Sequence, residues 1–146
     1  MSESQPQTSH DFWPADLAII DATVTPVSIL REQAAILGQK TQGLVGGEVV
    51  SMPLSGSERF SPSMKAPDCE FKSIFLLIVP ALDNYRYTLL EICYPIDNYP
   101  LLLKFTPTGQ EEVIQSQQQF CDELGRLLAC EKTISVIRSL IAQARS

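Results

Sequence analysis

The chain has 146 residues, of which 45% are hydrophobic and 19% charged, and its formal net charge is -6 at pH 7. These values are typical of one globular domain and exclude a largely disordered chain. The acidic balance disfavours nucleic acid and anionic membranes as partners, because both are bound through clustered Lys and Arg. The eleven basic residues of this chain are scattered singly.

The N-terminal residues 1–12 are polar and lack both a basic start and an apolar segment. We therefore expect a flexible tail rather than a secretory signal, and a cytoplasmic protein. Residues 13–146 are predicted to form a single domain. The longest strongly apolar run, residues 74–79, is under half the length needed to cross a bilayer, so no membrane span is expected.

The segment Phe12-Trp13-Pro14 contains the single tryptophan of the chain. It has two interpretations: an anchor for a pocket on a protein partner, or a lid that packs on the protein's own core. The first makes Phe12 and Trp13 candidate partner-binding residues. We favour the second, because a tryptophan side chain buries a large apolar area wherever it lands.

A helix is predicted to follow Thr25, which can cap it, with Pro26 at its first position and Gly43 just past its end. Apolar residues recur along this segment at helical spacing, so one face of the helix should pack on a sheet. A strand is predicted over residues 44–54, where Gly46-Gly47 suggests a bulge or a bend.

A Ser- and Pro-rich stretch at about residues 55–69 is predicted to be a mobile loop. Three strands follow at about residues 71–79, 85–94 and 101–106, which are rich in β-branched and aromatic residues and are joined by short turns. Such a pattern predicts an antiparallel meander.

The tripeptide Asp-Asn-Tyr occurs twice, at residues 83–85 and 97–99. Asp and Asn are frequent in turns because their side chains bond the nearby backbone and tolerate the left-handed region. We interpret the repeat as two hairpin turns at opposite ends of the sheet, and not as a paired active site.

The C-terminal part is predicted to contain a short edge strand at residues 111–114 and two helices. The first begins at Ser116, with Gln119 placed for a capping box, and a break is expected at residues 130–133. The complete pattern predicts an α+β fold in two layers. An antiparallel sheet of four or five strands, with a meander at its core, carries the N-terminal helix and the two C-terminal helices on one face.

Little of the sequence points to catalysis. His10 is the single histidine and lies in the predicted tail, which disfavours Ser-His and Cys-His chemistry, and there is no glycine-rich phosphate-binding motif. The four cysteines, at positions 69, 93, 121 and 130, are widely spaced, so we expect reduced thiols and no metal site. No cofactor is expected, and an enzyme is not the favoured interpretation.

Three functional hypotheses remain. The favoured one is a non-enzymatic protein-interaction module, such as a small acidic adaptor, inhibitor, chaperone-like or toxin-neutralising protein, with Tyr85, Tyr87 and Tyr99 as further partner-binding candidates. The alternative is a small-molecule-binding protein or modest enzyme with a site between sheet and helices. Its candidates are Glu91, which by strict alternation shares a strand face with Tyr85 and Tyr87, and Arg86. A homo-oligomer is the third option.

Overall fold

The computed structural model describes residues 10–17, 24–54 and 69–146. In these ranges the elements are, in chain order, α1 (Pro26–Lys40), β1 (Gly46–Pro53), β2 (Phe71–Val79), a short 3₁₀ turn (Pro80–Leu82), β3 (Tyr85–Tyr94), β4 (Leu101–Phe105), β5 (Gln110–Ile114), α2 (Gln117–Leu128) and α3 (Glu131–Ala144). The predicted α+β class is confirmed. The first nine residues of the predicted tail and residues 55–68 of the predicted loop lie outside the described ranges.

Helix α1 starts as its sequence predicts. Thr25 Oγ1 accepts a hydrogen bond of 3.1 Å from the Ser28 N–H, and Ser28 Oγ accepts one of 3.2 Å from the Thr25 N–H. This reciprocal capping box is followed by Pro26 at the first helical position. Beyond the helix, Gly43 has a φ of 83°, a left-handed conformation that glycine adopts at little cost.

The five strands form one sheet in the order β1-β2-β3-β4-β5, and each strand is antiparallel to the next. Asp83, Asn84 and Asn98 all have positive φ, at 58°, 57° and 77°. The interpretation of the Asp-Asn repeat as two turns is therefore confirmed. The turns lie before and after β3, a ten-residue strand that spans about 30 Å, so Asp83 and Asp97 do not meet.

The glycine pair in β1 does not form the predicted bulge. Strand β1 pairs with β2 in one unbroken register from Gly46 to Pro53. Gly47 is instead required by helix packing. A Cβ placed on it would lie 2.7 Å from both the Cα and the Cβ of Ala34 in α1, so the helix crosses β1 where only a hydrogen atom fits.

The three helices pack on one face of the sheet, which we call the helix face. The core between the two layers is made of buried apolar side chains from every helix and from strands β2 to β5. Its larger members are Leu30, Phe75, Leu77, Val79, Leu89, Leu90, Ile92, Leu101, Leu103, Phe105, Ile114, Phe120, Leu124, Leu127 and Leu140, with Val49 of β1 packed against them. The opposite face of the sheet, called the outer face here, carries no helix among the described residues.

Cys69 and Cys93 form a disulfide bond, with their Cα atoms 5.4 Å apart. The prediction that all cysteines are reduced is therefore wrong for this pair. The two cysteines are 24 residues apart in sequence, so no local sequence pattern predicts the bond. Antiparallel pairing of β2 with β3 brings them together. Cys121 and Cys130 are free thiols.

Candidate functional site

An apolar groove of about 530 Å³ runs across the helix face between α1 and the α2–α3 pair. Its floor is formed by Phe75, Leu77 and Leu89, which are themselves fully packed core residues. Its walls are lined by Gln33, Ile36, Leu37 and Lys40 of α1 and by Gly125, Leu128, Ala129, Thr133, Ile134 and Ile137 on the other side. We call this feature the helical groove.

The groove exists because the helices are docked towards the edges of the sheet. Helix α1 lies mainly on β1, and α2 lies beside β5. Neighbouring strands are about 4.8 Å apart, so the two outer strands of a five-stranded sheet are about 19 Å apart. Packed helices need only about 8–10 Å between their axes. A gap between the helices therefore lies above the middle strands, β2 and β3, although the floor side chains themselves are shielded from solvent.

The polar side chains of the groove lie on its walls. The Thr133 hydroxyl donates a hydrogen bond of 2.7 Å to the Leu127 carbonyl oxygen, so it is already satisfied. Gln33 is half-buried on α1, at the rim of the groove. Lys40 is the charged residue among those that line the groove.

A second hollow of about 330 Å³ continues the groove along α1 towards its N-terminus. The two share Gln33, Gly125 and Leu128 as lining residues, so they form one continuous depression between α1 and α2. Val24, in the chain that leads into α1, lines the far end of this hollow.

Glu91 and Arg86 do not line the helical groove, contrary to the predicted pocket around them. The β2–β3 register shifts between Phe75 and Leu76, and this bulge reverses the alternation of β3. Tyr87 faces the helices before the shift and Leu90 after it. An extra residue in one strand turns every later side chain to the other face. Glu91 therefore lies on the outer face.

On the outer face both residues are engaged in ion pairs. Glu91 Oε1 lies 3.1 Å from Lys72 Nζ, and Arg86 Nη2 lies 3.3 Å from Glu48 Oε1. All four side chains are partly exposed to solvent, so each pair contributes at most about 1 kcal/mol. Glu91 is therefore one member of a cross-strand ion pair with Lys72.

The predicted aromatic residues do not form one patch. Phe12 and Trp13 are 89% and 74% exposed, and Tyr85 is exposed as well, whereas Tyr87 packs against the core. Tyr99 follows the opposite end of β3, and its hydroxyl is buried without a hydrogen-bond partner. Burial raises the pKa of Tyr99, and the nearby Cys121 thiol adds to this effect. Self-packing of Phe12 and Trp13 is not seen in this conformation.

Three hydrogen-bonded polar side chains inside the core, called the polar network here, were not predicted from the sequence. Ser73 is fully buried, and its hydroxyl is 2.8 Å from Ser51 Oγ and 2.9 Å from the Tyr94 hydroxyl. The three residues come from three neighbouring strands, so only knowledge of the strand register could have found them. Because its hydroxyl groups hydrogen-bond to one another, we interpret this polar network as structural.

A second missed cluster joins β5 to α2. The Glu123 carboxylate accepts hydrogen bonds from Arg126, one of them 3.1 Å from Nε, and faces Glu112. The pKa of Glu112 is raised by burial and by a hydrogen bond and charge repulsion from Glu123. The pKa of Glu123 is lowered, mainly by its hydrogen bond with Arg126. Ionisation is thus less favourable for Glu112 than for Glu123.

This cluster gives a pH-dependent prediction. A raised folded-state pKa means that the favourable contribution of Glu112 is present at acid pH and is lost as pH rises through that pKa. Glu112→Gln keeps a neutral donor beside Glu123, so we expect the melting temperature at pH 7 to rise by about 1–2 °C at this partly exposed position. The gain should vanish at acid pH, where wild-type Glu112 is itself neutral.

The control for this prediction is Glu111→Gln, because Glu111 lies opposite Lys104 in the sheet and its removal takes away a favourable charge pair. Thermal melts of both variants between about pH 3 and 8 would check the assignment. Equal shifts of the two variants at pH 7 would contradict it.

No protein-family model, curated protein or solved structure matches this chain. Within the described ranges no helix is long and apolar enough to cross a bilayer. In the same part of the chain no three His, Cys, Asp or Glu side chains meet in a way that could hold a metal ion. The helical groove is the candidate functional site.

Proposed function

We propose that this protein is a non-enzymatic interaction module whose helical groove receives a short apolar segment of a protein partner. The observation that carries the proposal is the groove: an open apolar depression of about 530 Å³, floored by core residues and walled by three helices. Amphipathic segments dock into grooves of this kind through apolar anchors spaced along one face. A small acidic adaptor, inhibitor, chaperone-like or toxin-neutralising protein would use such a surface.

The charge of the chain favours a basic partner protein. A net charge of -6 accelerates encounter with a positively charged surface and disfavours nucleic acid, which carries the same sign of charge. The apolar groove then provides the binding affinity, while the charges increase the association rate. A cytoplasmic location remains part of the proposal, and the Cys69–Cys93 disulfide does not by itself indicate a compartment.

The second candidate is a small apolar ligand in the same groove. Its volume lies within the range of about 300–1,000 Å³ that is usual for small-molecule pockets. Such pockets fix their ligands through a few convergent polar groups, whereas the groove offers Gln33 and Lys40 at its margin and a Thr133 hydroxyl that is already bonded. This shortage favours a peptide segment. Glu91 is not part of this proposed ligand site, because it lies on the outer face.

The groove can be blocked without disturbing the core. A Cβ added at Gly125, a wall residue, meets no atom within 4 Å, so Gly125→Leu would project a side chain into the opening. Gly38 of α1 is equally open but does not line the groove, which makes Gly38→Leu a matched control. Both changes replace a helical glycine, so both should stabilise their helix slightly.

The test has two stages. A photo-crosslinking amino acid at Ile36 would capture the partner in cells, and titration calorimetry would measure binding of that purified partner. We expect Gly125→Leu to weaken binding at least about tenfold, a loss expected when anchor side chains are excluded, and Gly38→Leu to bind as the wild type does. Unchanged affinity of Gly125→Leu would contradict the proposal. Native mass spectrometry of the purified protein would reveal a small ligand, which would favour the second candidate.

A further inference from the structure

We propose that, in the free protein, the chain's own N-terminal segment occupies the helical groove and that a partner must displace it. The segment consists of residues 12–17, here called the aromatic segment. The inference rests on the proposed function of the groove and adds its regulation. It concerns an intramolecular contact that alternates with the undocked conformation described above.

The aromatic segment and the groove are both apolar surfaces without a partner. Phe12, Trp13 and Leu17 are 89%, 74% and 51% exposed, an unusual concentration of large apolar side chains within six residues. Large exposed apolar side chains concentrated in this way favour a contact site. The groove offers apolar walls and floor of matching chemistry on the same domain.

The path of the chain connects the two surfaces. Val24 lines the hollow that continues the groove, so the chain upstream of α1 begins at the groove's own opening. Trp13 is eleven residues upstream of Val24, a stretch that can span up to about 36–40 Å. Helix α1, with fifteen residues, is only about 22 Å long. Trp13 can therefore reach any part of the groove.

Charge complementarity supports the same occupant. Asp11 and Asp16 flank the aromatic pair, and the Asp11 carboxylate accepts a hydrogen bond of 3.0 Å from the Trp13 N–H. Lys40 is the charged residue on the groove wall, and Glu32 lines the hollow that continues the groove. The acidic segment therefore meets a favourable charge only at the Lys40 end of the groove.

Tethering favours the chain's own segment over that of a second copy. A short tether gives an effective concentration on the order of millimolar, which far exceeds the concentration of a second molecule in a dilute sample. An intramolecular contact is independent of protein concentration, whereas an exchange between two copies is not. This difference separates the two arrangements experimentally.

Trp13 provides the measurement, because it is the chain's single tryptophan. We expect its fluorescence in the wild type to be blue-shifted from that of the unfolded chain. We also expect acrylamide to quench this fluorescence roughly twofold less than in the unfolded chain. Such a difference corresponds to docked and undocked conformers that are about equally populated. Gly125→Leu should return both values to those of an exposed indole, while Gly38→Leu should leave them at wild-type values. Emission of an exposed indole in the wild type, unchanged by Gly125→Leu, would overturn the inference.

Two further readings complete the test. A Trp13 signal that depends on protein concentration, with dimers in sedimentation velocity, would assign the groove to a second copy and overturn the intramolecular contact. The apolar dye anilinonaphthalene sulfonate tests the groove separately. Its binding should increase in a Phe12→Ala/Trp13→Ala variant, which frees the groove, and decrease in Gly125→Leu.

The dye also separates the failure of this inference from failure of the proposed function. Dye binding that is sensitive to Gly125→Leu but unaffected by Phe12→Ala/Trp13→Ala would leave the groove as a binding surface and remove its tethered occupant. Dye binding that is unchanged by Gly125→Leu would contradict the groove as a binding surface, and would therefore contradict both proposals.

Discussion

Reduction of the Cys69–Cys93 disulfide is expected to lower the melting temperature by about 10 °C. The bond closes a loop across 24 residues of sequence, and loss of this constraint on the unfolded chain costs about 3 kcal/mol in the chain-entropy account. For a chain of this length each kcal/mol corresponds to roughly 3 °C. Calorimetric scans with and without a reductant would measure the shift.

The two remaining cysteines supply the control. Cys121 and Cys130 are free, so a Cys121→Ser/Cys130→Ser variant should keep the full sensitivity to reductant. Thiol titration of the denatured, unreduced protein should find these two thiols alone. Four titratable thiols without reductant, or a melting temperature that reduction leaves unchanged, would show that the bond does not hold the fold together in solution.

The second large effect is expected at the crossing of α1 and β1. Gly47→Ala places a methyl group 2.7 Å from the Cα and Cβ of Ala34, a distance at which backbone or helix must shift. Overpacking of this kind costs about 1–3 kcal/mol, or roughly 3–10 °C in melting temperature. Thermal or urea unfolding of the variant would measure the loss.

The neighbouring glycine is a matched control for this substitution. A Cβ at Gly46 meets nothing within 4 Å, so Gly46→Ala should be neutral or slightly stabilising, since it removes the conformational freedom of glycine in the unfolded chain. Equal effects of the two single substitutions would show that α1 does not approach β1 this closely.

The positions of α1 and α2 also determine the helical groove. Gly47 allows α1 to pack closely on β1, and α2 lies beside β5. The gap above β2 and β3 is therefore a consequence of where the helices dock. A variant that lifts α1 from the sheet should therefore change the groove as well as the stability. Substitutions at Gly125, by contrast, should change the groove alone.

The sequence by itself determined the features that depend on a few neighbouring residues. The caps at Thr25 and Ser116 and the turns at residues 83–84 and 97–98 were predicted correctly. Each of them is a hydrogen bond or a backbone conformation set within about four positions. The strands, and hence the α+β class, followed from composition and from these boundaries.

Only the tertiary structure decided where the candidate site lies. The bulge in the β2–β3 pair places Glu91 on the outer face, because alternation along one strand cannot reveal an extra residue opposite its neighbour. The disulfide depends on strand register, and the helical groove depends on the spacing of helices across the sheet. All three features are set by contacts between segments distant in sequence. Local propensity carries no information about such contacts.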